Sequence, residues 1–167
     1  MSPLDQPIIR RFIEDAGNTT QALGVGRVVG QIFAYLYFSE EARTLDDMKE
    51  ALGISKGSAS MGVRQLEQWG AVQRVWVKGD RKDFYTANDY FGQIIKNIMI
   101  DVMGKRLDAL SQSLDTAEIE LRKSPPNNKQ PITDNSPFIQ GRVQRLREFQ
   151  AKVNSTWNNP IVKLMLK

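Results

Sequence analysis

The 167-residue sequence contains neither cysteine nor histidine. Disulfides, thiol nucleophiles and imidazole bases are therefore excluded, and the usual zinc sites lose their ligands. Its longest apolar run, VVGQIFAYLYF, is too short to cross a membrane as a helix. The N-terminal MSPLDQPII lacks the basic and apolar regions of a secretion signal. These absences predict a cytoplasmic protein without metal, cofactor or membrane segment, and they disfavour an enzyme.

The positive charge is concentrated in one short part of the chain. The net charge is +4 and the sequence pI is about 9.4. Residues 55–82 hold six cations and two anions, an excess that equals the excess of the whole chain. The segment just before it is acidic, with Asp46, Asp47 and Glu50 against Lys49. A local basic surface favours an anionic partner. The acidic cluster is better explained as a solvated helix face with a capping role than as a catalytic site.

Two short amphipathic helices separated by a tight turn are predicted in the middle of the chain. Thr44 followed by Asp47 is typical of a capping box, and Gly53 is suited to end the first helix. Ser55 can cap the second helix, which we expect to run to about Trp69. The spacing predicts a helix-turn-helix.

The second helix has a small, polar and basic outer face. If the apolar stripe from Ile54 to Leu66 packs inward, the residues left outside are Ser55, Lys56, Gly57, Ser58, Ser60, Met61, Arg64 and Gln65. Small residues near a helix N-terminus let a phosphate backbone come close. Arg64 can reach a guanine edge or a phosphate, and Gln65 can pair with adenine. We predict a recognition helix in the DNA major groove; the alternative is an ordinary helix pair whose glycines permit tight packing.

A basic hairpin is predicted directly after this helix. AVQRVWV and DFYTA are strand-like, and KGDRK joins them with a glycine-containing turn. The candidate phosphate and groove contacts are Lys78, Arg81 and Lys82. Arg81 is suited to enter the minor groove, where Asp80 would be misplaced unless it pairs with Arg81 and holds that side chain extended. The alternative is a solvated hairpin tip.

Helices are predicted on both sides of this unit, so the fold class is mainly α with a small β hairpin. The N-terminal part holds two helices, the first ended by the polar stretch GNTT, and a polar connection over 39–43. The C-terminal part holds a long helix, the proline-rich loop SPPNNKQPITDNSP and a last helix over 138–157. The predicted organisation is 1–43 as supporting or dimerising helices, 44–88 as a winged helix-turn-helix domain and 89–167 as dimerisation helices.

An uninterrupted heptad pattern runs along the long C-terminal helix. Its apolar positions alternate in steps of three and four, which is typical of a helix that packs against a partner. With apolar positions of the last helix, the predicted dimerisation residues are Ile100, Met103, Leu107, Leu110, Leu114, Leu121, Leu146, Phe149 and Val153. The alternative is a helical bundle within one chain.

Aromatic residues are frequent around the predicted DNA-binding unit. They are Phe33, Tyr35, Tyr37, Phe38, Trp69, Trp76, Tyr85, Tyr90 and Phe91. Such rings can form a cage for a quaternary ammonium ligand, but aromatic side chains are more often core residues.

The segments ISKGSASMGVRQL, WGAV and KGDRKDFY, preceded by LGVGRVVGQIFAYLYFS, resemble the MarR superfamily and in particular its GbsR branch. The resemblance covers roughly 22–91. It implies a dimeric winged-helix transcriptional regulator, often a repressor, with 55–65 as the major-groove helix and Arg81 as the wing arginine. It also implies sensing of choline-type osmoprotectants, for which no pocket residues can be carried over. The competing hypothesis is a winged-helix protein-interaction module that does not bind DNA.

Overall fold

The computed structural model describes residues 6–123, 136–157 and 159. Its elements are, in chain order, α1 (Pro7–Ala22), α2 (Arg27–Tyr37), β1 (Arg43–Thr44), α3 (Leu45–Leu52), α4 (Lys56–Gln68), β2 (Val72–Val75), β3 (Phe84–Ala87), α5 (Phe91–Lys123) and α6 (Ser136–Trp157). The predicted fold class, mainly helical with a small antiparallel sheet, is confirmed. The chain divides into two units, one ending at Met99 and one beginning at Ile100.

Helix α1 continues through the polar stretch that was expected to end it. Thr19 and Thr20 donate their hydroxyls to carbonyls one turn earlier, those of Asp15 and Ala16, at 2.8 and 3.0 Å. Both hydroxyls therefore bond to the helix backbone, and that of Thr20 also lies 2.9 Å from the carbonyl oxygen of Gly26 beyond the helix. The prediction that GNTT breaks the helix is wrong, because the helix ends only after Ala22.

Helices α1 and α2 pack with their backbones close together. A Cβ atom added at Gly30 would lie 2.3 Å from the carbonyl oxygen of Ala16. Gly17, on the facing helix, is buried and would place a Cβ 2.7 Å from Cγ of Gln31. Glycine is required at Gly30 because a side chain there would collide with backbone, which cannot move aside.

The predicted caps of α3 and α4 are present. The Oγ1 atom of Thr44 accepts from the N–H of Asp47, whose carboxylate accepts from the N–H of Thr44 at 2.7 Å. Gly53 follows α3 in the left-handed conformation, with φ of 64°. Ser55 caps α4 through a 3.0 Å hydrogen bond from the N–H of Ser58. These local contacts fix the turn between the two helices.

The sheet has three strands, in the order β1-β3-β2, where the sequence predicted a two-stranded hairpin. Strand β1 pairs antiparallel with β3, with Arg43 opposite Tyr85 and Thr44 opposite Phe84. Its two residues were assigned to a polar connection and a helix cap. Two residues are too few to show strand alternation, so this pairing was not predictable from a local pattern.

The core of the first unit is formed by side chains of α1, α2, α3, α4 and the sheet, joined by Ile94 of α5. Its most deeply buried large side chains are Ile13, Ile32, Met48 and Val63. Within the described residues, no helix is both long and apolar enough to cross a membrane. The core leaves the outer face of α4 and the β2–β3 turn exposed.

The second unit contains most of α5 and all of α6. Arg147 on α6 donates to Glu118 at 3.0 Å and to Asp115 at 2.5 Å, both on α5. These hydrogen bonds raise the pKa of the Arg147 guanidinium. Helix α6 begins at Ser136, two residues earlier than predicted, because proline is well accommodated in a first helical turn. Most of the predicted proline-rich loop, and the final IVKLMLK segment, lie outside the described residues.

Candidate nucleic-acid interface

Helix α4 is held by its apolar stripe and presents its opposite face to solvent. Ala59, Val63 and Leu66 are buried, as the sequence predicts. Among the predicted contact residues, those that are exposed are Ser55, Lys56, Gly57, Met61 and Arg64, and those that are half-buried are Ser58, Ser60 and Gln65. The spacing of the stripe therefore correctly separated the inner from the outer face of this helix.

Several polar groups on this face are already hydrogen-bonded within the chain. The hydroxyls of Ser55 and Ser58 lie 2.9 Å apart, and Ser55 also caps the helix. Gln65 donates its amide N–H to Gln68 at 3.2 Å. A base or phosphate would therefore have to compete with, or add to, these local bonds.

The two glycines of α4 differ in their surroundings. At Gly57 an added Cβ would meet only Oγ of Ser55, at 3.8 Å, so the space outside the helix is open. At Gly62 it would lie 2.7 Å from Cδ1 of Ile32 on α2. The close-packing alternative therefore applies to Gly62, whereas Gly57 retains the proposed opening toward a partner.

Lys56 at the start of α4 forms an ion pair with Asp46 on α3, with Nζ 2.9 Å from Oδ1. The pKa of the Asp46 carboxyl is lowered, chiefly by the hydrogen bond from Lys56 and then by its charge. From the sequence, Asp46 was assigned to a solvated face. No local pattern could have paired it with Lys56, because the tight turn between the helices brings the two together.

The β2–β3 turn, hereafter the wing, carries exposed Lys78, Arg81 and Lys82. Gly79 has φ of 90°, which favours glycine. The Oδ1 atom of Asp80 accepts from the backbone N–H of Lys82 at 3.0 Å. The carboxylate thus bonds to the backbone of the turn, whereas the sequence had raised a pairing with Arg81. Asp commonly makes such a bond to the backbone two residues on, which shapes the turn.

Arg74 connects the wing strands to α4, a role that no local sequence pattern indicates. Its guanidinium lies 3.9 Å from Glu67 on α4 and 3.3 Å from Asp83 before β3. It also lies over the ring of Tyr85, 5.7 Å from the centroid. Burial raises the pKa of the Tyr85 hydroxyl, and the charge of Arg74 partly opposes that shift.

The aromatic residues fall into three groups. Tyr35, Trp69 and Tyr85 are core residues. A partly exposed cluster contains Phe12, Phe33, Tyr37, Phe38 and Phe91, whose contacting rings have centroids 5.3–6.3 Å apart. Trp76 and Tyr90 are 79% and 74% exposed. The buried group agrees with the alternative that these aromatic side chains are core residues. Trp76, by contrast, lies in the wing.

Comparison with known proteins finds regulators of one type. The chain is 28% identical over 111 residues to the HTH-type transcriptional repressor GbsR of Bacillus subtilis, covering 66% of this chain and 61% of GbsR, which is less than two thirds of its length. It is 24% identical over 147 residues to the HTH-type transcriptional regulator MmpR5 of Mycobacterium tuberculosis, covering 87% and 80% of the two chains.

A crystal structure of a transcriptional regulator matches with a TM-score of 0.55, 24% identity and 96% coverage of both chains. No protein-family model matches the chain. The solved structure supports the fold, and the curated relatives support the resemblance seen in the α3–α4 and wing segments. The chain therefore has a winged helix-turn-helix fold and is similar in sequence to HTH-type transcriptional regulators.

Proposed function

We propose that this chain is a cytoplasmic transcriptional regulator that binds double-stranded DNA sequence-specifically as a homodimer and acts as a repressor. The observation that carries the proposal is the shared exposure of the outer face of α4 and the basic wing. Helix α4 would lie in the major groove, with the wing at the adjacent minor groove. GbsR is named an HTH-type transcriptional repressor, which supports the same assignment here.

Arg64 and Gln65 are the proposed base-reading residues. Both lie more than two turns beyond the capped start of α4, and Arg64 is exposed. A guanidinium can donate two hydrogen bonds to the O6 and N7 atoms of guanine, and a glutamine amide can pair with adenine. Exposed Met61 offers an apolar contact to a thymine methyl group.

The other cations would bind phosphate. Lys78, Arg81 and Lys82 are exposed on the wing, and Arg81 is the residue proposed to enter the minor groove. Lys56 differs because Asp46 already lies 2.9 Å from it. For Lys56 to bind a phosphate, it must share or leave this ion pair, which reduces its net contribution.

Dimerisation would use the long helices. In the single chain Leu114 is buried, whereas Leu110, Met103, Leu146 and Phe149 are exposed by 38–62%. The remaining predicted dimerisation residues, which are half-buried, are Ile100, Leu107, Leu121 and Val153. Exposed apolar residues at heptad positions are stabilised when a second copy covers them.

The proposal includes control by a small-molecule effector of the quaternary ammonium type. The supporting feature is the partly exposed aromatic cluster, which contains Tyr37 and Phe91 on the surface of the first unit. Aromatic faces attract such cations. Titration with choline, followed by calorimetry, tests this part separately from DNA binding.

The DNA-binding test compares two arginine variants with a matched control. A duplex is first selected from a random-sequence pool by the wild-type protein. Arg64→Ala should weaken binding to this duplex by about 1–3 kcal/mol, because a base contact is lost. Arg81→Ala should weaken binding and reduce the salt dependence, because a cation near phosphate is lost. Binding isotherms over a salt series measure both effects.

Arg106→Ala, which removes an exposed arginine from α5, is the control and should change binding little. If the Arg64 and Arg81 variants bind the selected duplex as tightly as the wild type, the proposed docking face is wrong. If no duplex can be selected, the competing protein-interaction module is favoured. That module would then be sought by crosslinking through the same exposed face.

A further inference from the structure

An exposed tryptophan is the feature of the wing that the proposed function does not yet use. Trp76 directly follows the last residue of β2 and is 79% exposed. By contrast, Trp69 at the end of α4 is 4% exposed and belongs to the core. A solvated hairpin tip accounts for the charges of the wing, but it does not account for a large apolar ring in the same segment.

Two contacts hold the chain just before Trp76. The preceding residue, Val75, pairs with Phe84 of β3. Two residues before Trp76, Arg74 contacts Glu67 of α4 and Asp83. Trp76 therefore directly follows a strand end that is paired in the sheet and lies two residues from an arginine in contact with α4.

The charges around Trp76 indicate what its partner is. Lys78, Arg81 and Lys82 follow it within the same wing and are exposed, whereas the two carboxylates of the wing are already engaged, Asp80 by the N–H of Lys82 and Asp83 by Arg74. A partner that meets this segment must therefore offer negative charge and an apolar surface a short distance apart. The DNA backbone has this alternation, with phosphates separated by the apolar faces of deoxyribose rings. An indole can pack flat on a sugar and donate its N–H to an acceptor in the minor groove.

We propose that Trp76 packs against deoxyribose at the edge of the minor groove when the wing binds duplex DNA. This inference rests on the proposed function and adds to it a contact that is apolar. Burial of an exposed indole should make the contact strong but insensitive to salt, since no counterion is released with it. The arginine and lysine contacts of the same wing should be salt-sensitive.

The test uses the full-length protein, the selected duplex and three variants. Trp76→Ala should lower the affinity roughly tenfold with an unchanged salt slope, and Trp76→Phe should restore part of the loss. Hydroxyl-radical footprinting should show that Trp76→Ala loses protection at a few sugars flanking the α4 contact. Tyr90→Ala, which removes an aromatic residue of similar exposure outside the wing, should keep both the affinity and the footprint.

Thermal unfolding checks that Trp76→Ala stays folded, as expected for so exposed a residue. If this variant keeps the wild-type affinity and footprint, the inference is wrong while the proposed function stands. The inference is also wrong if Trp76→Ala loses affinity for a single-stranded oligonucleotide but not for the duplex, which would indicate base stacking. If the wild type selects no duplex at all, the proposed function and this inference both fail.

Discussion

At the scale of single residues, the two glycines of α4 differ in whether an added side chain meets the core or open space. Gly62→Ala should destabilise the protein by about 1 kcal/mol, because roughly 1–3 kcal/mol of overpacking against Ile32 exceeds the gain in helix propensity. Gly57→Ala should stabilise it by up to about 1 kcal/mol, since the surrounding space is open. Urea unfolding measures both changes.

The same pair also reports on DNA binding. If a phosphate backbone comes close to the start of α4, Gly57→Ala should weaken binding although it stabilises the fold. Gly62→Ala should leave the DNA affinity of the folded protein nearly unchanged, because the added methyl group would face Ile32 and not the outer face of α4. Identical affinities for Gly57→Ala and the wild type would show that no partner comes close at this position.

At the scale of elements, the start of α3 depends on a reciprocal cap. Thr44→Ala removes the hydroxyl that accepts from Asp47 N–H and donates to its carboxylate at 2.8 Å. We expect a loss of about 1–2 kcal/mol in the free energy of unfolding. Thr44→Ser, which keeps the hydroxyl, is the control, and it should retain most of the stability in urea denaturation. Equal losses in both variants would mean that the methyl group, not the cap, matters.

Elements determined by local chemistry were predictable from the sequence. The capping residues Thr44, Gly53 and Ser55 lie within a few residues of the groups they bind. Their spacing can therefore be recognised in the sequence alone. The predicted end of α1 was wrong because the hydroxyls of Thr19 and Thr20 can form hydrogen bonds either within a helix or outside it. Strand β1 was missed because its two residues pair with residues of β3 far along the chain, Arg43 with Tyr85 and Thr44 with Phe84, and this pairing has no local pattern.

The candidate interface shows the same division. Its outer residues followed from helical periodicity, which needs no tertiary information. The ion pairs of Lys56 with Asp46 and of Arg74 with Glu67 join residues on different elements, so only the folded chain reveals them. The tight packing of Gly62 likewise depends on which side chain of α2 lies opposite.

At the scale of the whole molecule, the exposed apolar positions of α5 and α6 predict a dimer. A double variant, Leu110→Asp with Phe149→Asp, should sediment as a monomer at micromolar concentration, where the wild type should be dimeric. Both side chains are exposed in the single chain, at 38% and 62%, so each subunit should remain folded. Asp108→Asn, on the same helix but outside the heptad positions, should leave the dimer intact. A monomeric wild type would rule out the predicted association.

The bridge formed by Arg74 has a consequence for the DNA sites this protein could recognise. Because the guanidinium connects α4 through Glu67 and the approach to β3 through Asp83, the two proposed reading elements are coupled. If α4 binds the major groove and the wing the minor groove as proposed, one number of base pairs between the two contacts should be preferred. An inserted base pair would rotate one contact by about a tenth of a helical turn relative to the other, so it should weaken binding.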